Sequence, residues 1–404
     1  MTGTIPAHRV ATSVVEVRVG DRLLADTEVQ VEQTRHAFGF GNIGFELLDH
    51  ANGHGAPGDA ELARLFLDVF DLAILPFYWA DFEPTDGRPR TRRLKRAAQW
   101  FAAHGVRVKG HPLVWHTLAP DWLVGRPLAE VAERVAARVR RDVTDFAGLV
   151  DTWDLVNEAV IAPVFDNGDN AITPLAASLG GDGLIEFAAA AARAASPSVR
   201  LHLNDFDLSE RYEALVEAVL ERGVTVDGIG LQTHMHQGYR GEDRALEAAD
   251  RFARFGIPLH FTETTLLSGD LMPPEIVDLN DYVREDWPST PEGEERQASE
   301  LERHYRSLFA HPAVDSITYW GLADRGAWLG APAGLVRPDG TPKPGYEVLR
   351  RLIREEWWTL PTTRRTDAHG RLTVTGVRGD YRFESGDHEA HLTLDGSPQL
   401  IDLV

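Results

Sequence analysis

Two glutamates, Glu158 and Glu263, each close an apolar, β-branched and aromatic run: DTWDLVNE at 151–158 and PLHFTE at 258–263. A parallel strand buried on both faces is apolar along its length, so a carboxylate where the run stops stands at the strand's carboxyl end, facing a cleft. One such residue alone reads as a salt-bridged or solvated strand end. Two of them on separate strands, with tryptophan and histidine at other strand ends, read as a pair that works together. Cleavage of a glycosidic bond calls for such a pair, one carboxyl protonated to give its proton to the leaving oxygen and the other ionised to attack the anomeric carbon. The neighbouring residues suit that chemistry. Asn157 carries an amide able to hydrogen-bond a sugar 2-hydroxyl, a contact that strengthens as charge develops on the ring; a turn cap is its plainer use. Trp320 and Trp328 offer flat apolar faces for sugar rings, and Trp115 serves equally as a platform or as core. His234 is placed to hold an ionised carboxylate and His111 to reach a sugar hydroxyl, each favoured over a structural role by its strand-end position.

The elements that must position these residues follow from periodicity. Counted from His36, the sequence predicts strands near 36–42, 72–75, 106–110, 151–157, 200–204, 228–233, 258–262 and 316–320. Helices are predicted at 61–70, 92–103, 128–146, 183–194, 209–222, 243–255, 291–309 and 346–354. In the third helix Leu128, Val131, Val135 and Val139 recur at three- and four-residue steps and make one buried stripe. Eight β/α units in roughly 250–320 residues are the signature of a closed parallel (β/α)8 barrel with its active site at the carboxyl ends of the strands. A doubly wound open sheet is the other α/β candidate, but no GxGxxG follows the first strand. Both chain ends alternate as strands do: VVEVRV and TEVQVEQ within 14–33, then GRLTVTGV, DYRFES, EAHLTLDG and QLIDLV after Trp357-Trp358. A sheet of two or three strands is barely stable alone. The expectation is therefore an α/β chain whose barrel, 35–356, carries a small all-β accessory module made from residues 1–34 and 357–404 and packed beside it.

Composition narrows the partners. The chain has 404 residues, 43% of them hydrophobic, enough to bury a large core. With 41 Lys+Arg against 62 Asp+Glu the net charge is -21, which disfavours nucleic acid and suits a neutral carbohydrate substrate. No cysteine is present, which removes disulfides, thiolate nucleophiles and cysteine-ligated zinc. No apolar run approaches membrane-spanning length, so no membrane partner is expected, and no cofactor is expected either. The amino terminus lacks a basic region followed by an apolar core, which points to a cytoplasmic chain unless a leader has been trimmed from it.

Six motifs, each at a predicted strand end, stand in a fixed order: GHPLVWHTLAPDW at 110–122, WDLVNE, HLNDFD, GIGLQTH, FTET, and WGLADRGAW followed by PKPGY. Together they resemble glycoside hydrolase family 10, the (β/α)8 endo-xylanases and their relatives, over residues 36–354. The resemblance implies a retaining β-glycoside hydrolase acting on β-1,4-linked xylose-type oligosaccharides, xylan or small β-glycosides. It implies Glu158 as acid/base and Glu263 as nucleophile, with His111, Asn157, Asn204, Gln232, His234, Trp320 and Trp328 binding the sugar and Trp115 beside them. Three departures stand out. The family's Asn-Glu-x-Lys-Trp-like motif after the second strand is here a shortened LAILPFYWADFEP, which keeps Trp79 and Glu83 but has Leu75, Pro76, Phe77 and Tyr78 at the polar positions. The glutamine expected after GHxLVWH is Leu118, and the aspartate expected to orient the nucleophile's histidine is Thr265. A backbone carbonyl is the expected substitute for that aspartate.

Two other classes compete. The HMH at 234–236, with His111, His116, His202 and His260, suggests a metal-dependent barrel hydrolase, but its His-x-His lies on the sixth strand and the first strand offers only His36. The DNGDN loop at 166–170 lacks the spaced bidentate glutamate of a calcium loop, and no metal site is expected. A non-catalytic carbohydrate-binding barrel has no need of both Glu158 and Glu263. For the hydrolase the two carboxyl groups are expected roughly 5 to 5.5 Å apart, the retaining separation. Burying a sugar hydroxyl against Leu75, Phe77 or Leu118 costs about 1 to 3 kcal/mol, so a second non-reducing-side sugar should gain little and extended xylan should be a poor substrate. The Phe77-Tyr78-Trp79 patch would close the cleft there or accept a less polar substituent.

Overall fold

The computed structural model describes residues 5–404; the first four residues, at the head of the stretch read for a secretion signal, lie outside them. Gly39–Ile43, Leu72–Pro76, Arg107–His111, Thr152–Asn157, Arg200–Asp205, Gly228–Met235, Leu259–Leu266 and Val314–Tyr319 close into an eight-stranded barrel, each strand beside its successor and the eighth beside the first. Each is followed by a helix before the next begins, as the periodicity predicts, with three short additions: Leu48–Ala51 in the first connection, Trp79–Phe82 in the second and Ile172–Leu179, before Gly181–Ala195, in the fourth. Helices cover the outside of the strands and side chains fill the inside, so Gly39–Ile43 and Leu259–Leu266 are buried at every residue. That double burial is why these segments read as runs and not as alternations.

The helix Leu128–Asp145 buries Val131, Val135, Val139 and Val143 on one stripe, and on the same stripe lie Arg138 and Asp142, paired at 3.3 Å. The Arg138 guanidinium donates to the backbone carbonyls of Phe77 and Pro112, which fixes the chain as it leaves the second and third strands. Thr290 caps Pro291–Ala310 by accepting from the Gly293 amide, with proline at the first helical position where no donor is missed. Gly110 is required by packing, because a Cβ there would lie 2.2 Å from the Trp153 ring.

Inside the barrel His202 and His260 stack at 4.2 Å with their planes 19° apart, and a Cβ on Gly228 would lie 2.7 Å from both. His260 hydrogen-bonds the Ser316 hydroxyl at 2.8 Å through Nδ1, while neither nitrogen of His202 has a partner among the described residues. Burial holds both imidazoles neutral, His202 well below the ordinary histidine range and His260 at about 3.

The strands of the two chain ends pair with one another. Val10–Val19 runs antiparallel to Arg371–Val377 and parallel to Gln399–Asp402, while Glu28–His36 pairs with Thr362–Arg365 and Gly379–Ser385, and the latter with His388–Leu394. Val15, Val17, Val29, Val31, Leu372, Tyr381, Phe383 and Leu394 form one core between these two sheets. The alternating burial along Glu28–His36 is that of strands with one face inward. By contact density residues up to Phe40 and from Tyr346 onward make one compact unit, and Gly41–Gly345 the other. Among the described residues no single helix is long and apolar enough to cross a membrane.

The buried histidines fix a pH dependence. A histidine depressed in the fold is protonated in the unfolded chain near pH 6.5, so stability present above that pH is lost as pH falls toward the folded-state value. His202→Phe, which leaves no hydrogen-bonding partner stranded, is expected to remove about 1.4 kcal/mol per pH unit from the acid slope of unfolding free energy below about pH 6, read from urea denaturation at a series of pH values. An unchanged slope would show that His202 is not neutral in the fold.

Candidate active site

Just past the end of the fourth barrel strand, and three residues before the end of the seventh, the backbone takes the same shape. Glu158 has a φ of 57° and Glu263 of 56°, in the left-handed region that residues with a Cβ seldom enter. The ladder slips beside each of them. Pairing with the fifth strand shifts register between Asp154 and Asn157, and the seventh strand shifts against its neighbours between Phe261 and Thr264 and between Thr262 and Thr265. Irregularities of this kind re-aim a side chain out of the pleat. Strain of about 1–3 kcal/mol at such a residue persists only where the surroundings over-determine it.

Here the surroundings are a chain of amides. Ionised Glu263 only accepts, so Asn204 presents its NH2 group there, and the same NH2 group facing Asn157 fixes the Asn157 amide with its oxygen toward Asn204 and its NH2 toward Glu158. Asn157 Nδ2 donates to Glu158 Oε1 at 3.1 Å, and Asn204 Nδ2 to Glu263 Oε1 at 2.7 Å. Asn204 Nδ2 also donates to Asn157 Oδ1 at 2.7 Å, which links the two carboxyls through two side chains. Gln232 Nε2 donates to Asn157 Oδ1 at 3.1 Å and to Glu158 Oε1 at 3.4 Å, and the Thr262 hydroxyl donates to Asn204 Oδ1 at 2.5 Å. The other Glu158 oxygen accepts from Trp115 Nε1 at 2.9 Å, with His116 Nε2 at 3.8 Å. The other Glu263 oxygen meets His234 Nε2 at 3.1 Å.

Two histidines are held from behind. His111 Nδ1 lies 2.8 Å from Asp154, whose second oxygen takes Lys109 Nζ at 2.8 Å, and His111 Nε2 stands 4.0 Å from Glu263. Behind His234 the partner is the Thr265 hydroxyl, 2.8 Å from Nδ1, where a backbone carbonyl was expected. A hydroxyl either donates or accepts, so it serves the imidazole in whichever form Glu263 demands.

These surroundings drive the two carboxyls apart. Burial, reinforced by the charges of Glu263 and Asp205, pushes Glu158 up to about 8 despite the Trp115 and Gln232 hydrogen bonds. Burial acts on Glu263 in the same direction, but His234, His111 and Asn204 outweigh it and hold the carboxyl below the usual range. Trp320 stands edge-on to His111 at 5.2 Å and to Phe45 at 5.6 Å, and Trp328, 36% exposed, packs on His234 at 4.7 Å. A tryptophan this open above buried polar groups is a ready platform for a sugar face.

The structure brings Glu158, Glu263, His111, Trp115, Asn157, Asn204, Gln232, His234, Trp320 and Trp328 to one end of the barrel, yet not all face the cleft. Asn204 is wholly buried and its amide is used between the carboxyls, so it supports the pair instead of reaching a sugar. Trp115 points its indole N–H at Glu158. Leu75 and Phe77, expected along the cleft, are fully buried, Phe77 against Trp153 at 4.5 Å. Of FYW only Tyr78 turns toward the site, its ring 5.7 Å from His111 and 5.5 Å from Trp115. His236 is buried with both nitrogens unpartnered, and among the described residues no group of three His, Asp or Glu could hold a metal. In the DNGDN loop Asn170 accepts from the amides of Ile172 and Thr173 and starts the extra helix. One group escaped notice in the sequence: Glu46, just past the first strand, whose oxygens accept from the Ala323 amide at 3.2 and 3.3 Å and whose carboxyl burial pushes up to about 8. The signal was a carboxylate three residues beyond a fully buried strand.

A parallel eight-stranded barrel with two buried carboxyls at one end, one protonated and one ionised, beside the open face of Trp328, has the make-up of a glycoside hydrolase. Residues 77–351 match the Glycosyl hydrolase family 10 model, and the chain belongs to that family. It is 30% identical over 252 residues to the endo-1,4-beta-xylanase of Geobacillus stearothermophilus, covering 58% of this chain and 71% of that protein. Its similarity to the anti-sigma-I factor RsgI6 of Acetivibrio thermocellus, 26% over 380 residues, takes in 91% of this chain and 44% of the relative, so it spans less than half of that protein. Native xylanase 10B from Thermotoga maritima superposes with a TM-score of 0.63 at 25% identity, over 79% of this chain and 97% of that one.

The amide chain has a measurable signature. Asn204→Ala deletes one donor from Glu263, so the Glu263 carboxyl is expected to titrate at higher pH than in the parent when followed by 13C NMR of labelled glutamate. No upward movement in a folded variant would show that the amide does not hold the charge.

Proposed function

We propose that the chain is a retaining β-glycoside hydrolase that cleaves β-1,4-linked xylose-type oligosaccharides, xylan or small β-glycosides by double displacement. The observation that carries this reading is the opposed protonation of Glu158 and Glu263 within one hydrogen-bonded network. The ionised Glu263 attacks the anomeric carbon while Glu158 gives its proton to the departing glycosidic oxygen, leaving a sugar esterified to Glu263. Glu158, now a carboxylate, takes a proton from water as the water oxygen displaces Glu263 from the anomeric carbon, and the starting protonation is restored. His234 and Asn204 stabilise the carboxylate that attacks and departs, and Trp115 orients the acid. Relatives described as endo-1,4-beta-xylanases support a xylose-type substrate.

Stereochemistry is the direct test. A retaining pair, whose carboxyl groups stand roughly 5 to 5.5 Å apart, releases the β-anomer of the product first, as seen by proton NMR during turnover. Initial release of the α-anomer would overturn the reading. Glu263→Ala is expected to abolish turnover. Glu158→Gln is expected to spare substrates whose leaving group needs no proton in the first step, and to lose the alkaline limb near pH 8 that Glu158 deprotonation gives the parent. Equal loss on activated and natural substrates would remove Glu158 from the acid role.

A further inference from the structure

The segment that follows the second strand presents a single polar group to the site. Phe77 turns into the layer between barrel and helices, and Trp79 is 3% exposed with its N–H on Glu83 at 2.9 Å. Tyr78, between them, is half-buried and faces the other way, edge-on to His111 and to Phe45, each at 5.7 Å. Its hydroxyl has no hydrogen-bond partner among the described residues and is not sealed from solvent. Burial first, then the charges of Glu263 and Glu158, keep the phenol protonated, so it is a donor at any working pH. The nearest barrel-strand lysine, Lys109, is bound to Asp154 and is not available to a ligand. Beyond Tyr78 the wall continues as Phe45 and Trp320, and Glu46, beside Phe45, has both oxygens on the Ala323 amide.

We propose that Tyr78 is a specificity-determining residue: its hydroxyl binds a hydroxyl of the single sugar seated beside Glu263, and the apolar Phe45 edge next to it leaves a second non-reducing-side sugar without a hydrogen-bonding partner. The preferred substrates are then β-glycosides with one uncharged glycone sugar. Because the donor is neutral and the surrounding carboxyls are acidic, a uronic acid in that position lacks a counter-charge. This inference rests on the assignment of Glu158 and Glu263 given above.

The test compares the full-length protein with Tyr78→Phe and Tyr78→Lys on aryl β-xyloside and aryl β-xylobioside, with Glu263→Ala as a reference and thermal melting to verify folding. In the parent, kcat/KM is expected to change by less than about threefold when the second xylose is added, since a sugar without a partner contributes little binding. Tyr78→Phe is expected to lower kcat/KM on the xyloside by about 10- to 100-fold with an unchanged melting temperature, the loss of one hydrogen bond in the transition state. Tyr78→Lys is expected to raise the xylobioside-to-xyloside ratio at least about tenfold, because a longer charged donor reaches the second sugar. A folded Tyr78→Phe within twofold of the parent, or a parent ratio above tenfold, would overturn the proposal while an inactive Glu263→Ala leaves the reaction assignment standing. An active Glu263→Ala would instead sink the assignment itself.

Discussion

Two carboxyl groups that must act on one bond cannot share one protonation state, and like charges in a buried site raise each other's cost of ionisation. Everything at the carboxyl end of this barrel answers that constraint. Asn204 sits between the two with one amide group, donating to Glu263 and to the oxygen of Asn157, so the donor that favours charge on Glu263 is the same group that fixes the amide beside Glu158. Glu158 receives hydrogen bonds too, from Asn157, Gln232 and Trp115, but all of them come from neutral groups, and burial wins. The difference between the two glutamates lies in what surrounds them and not in the residues themselves.

The barrel supplies what such a network needs, which is precision from buried backbone. Left-handed φ values and slipped registers at both glutamates are costly, and they persist because strand neighbours on both sides leave no alternative path. Arg138 clamps the exits of the second and third strands from below. Lys343, fully buried, reaches both Ser268 and Asp324 and so ties the loop after the seventh strand to the loop that carries Trp328. Removing one partner of such a buried ion pair leaves an unpaired charge, which is why these contacts govern the site at a distance from it.

How much of this was legible depends on where the information lies. Double burial writes strands as apolar runs, so WDLVNE announced its strand and the carboxylate at its end, and HFTE announced a strand that runs three residues past Glu263 to Leu266. Single-faced burial writes alternation, which made the terminal strands readable as a sandwich. Asn204 was placed in the site, but its task was not readable, because that depends on which strand-five residue lies level with Asn157, a register set by a slip that no local pattern records. Leu75 and Phe77 were placed along the cleft by comparison with a polar motif, whereas an extended chain sends successive side chains to opposite sides and only Tyr78 could share the face of His111. The Thr265 hydroxyl was likewise invisible, since one threonine in a strand looks like any other until the histidine on the next strand is seen beside it.

The pairing of the two chain ends has a consequence in time. Thr12 and Thr375, 363 positions apart, share a hydrogen bond, and Val10–Val19 is flanked by Arg371–Val377 on one side and Gln399–Asp402 on the other. During synthesis the first of these strands emerges with an apolar face and, beyond the short Arg22–Leu23 return, no neighbour to cover its edges. All residues of the Gly41–Gly345 unit are made before its partners exist. The sandwich therefore cannot close until Arg371–Val377 and Gln399–Asp402 have been made, and until then its opening strand keeps unpaired edges open to other chains.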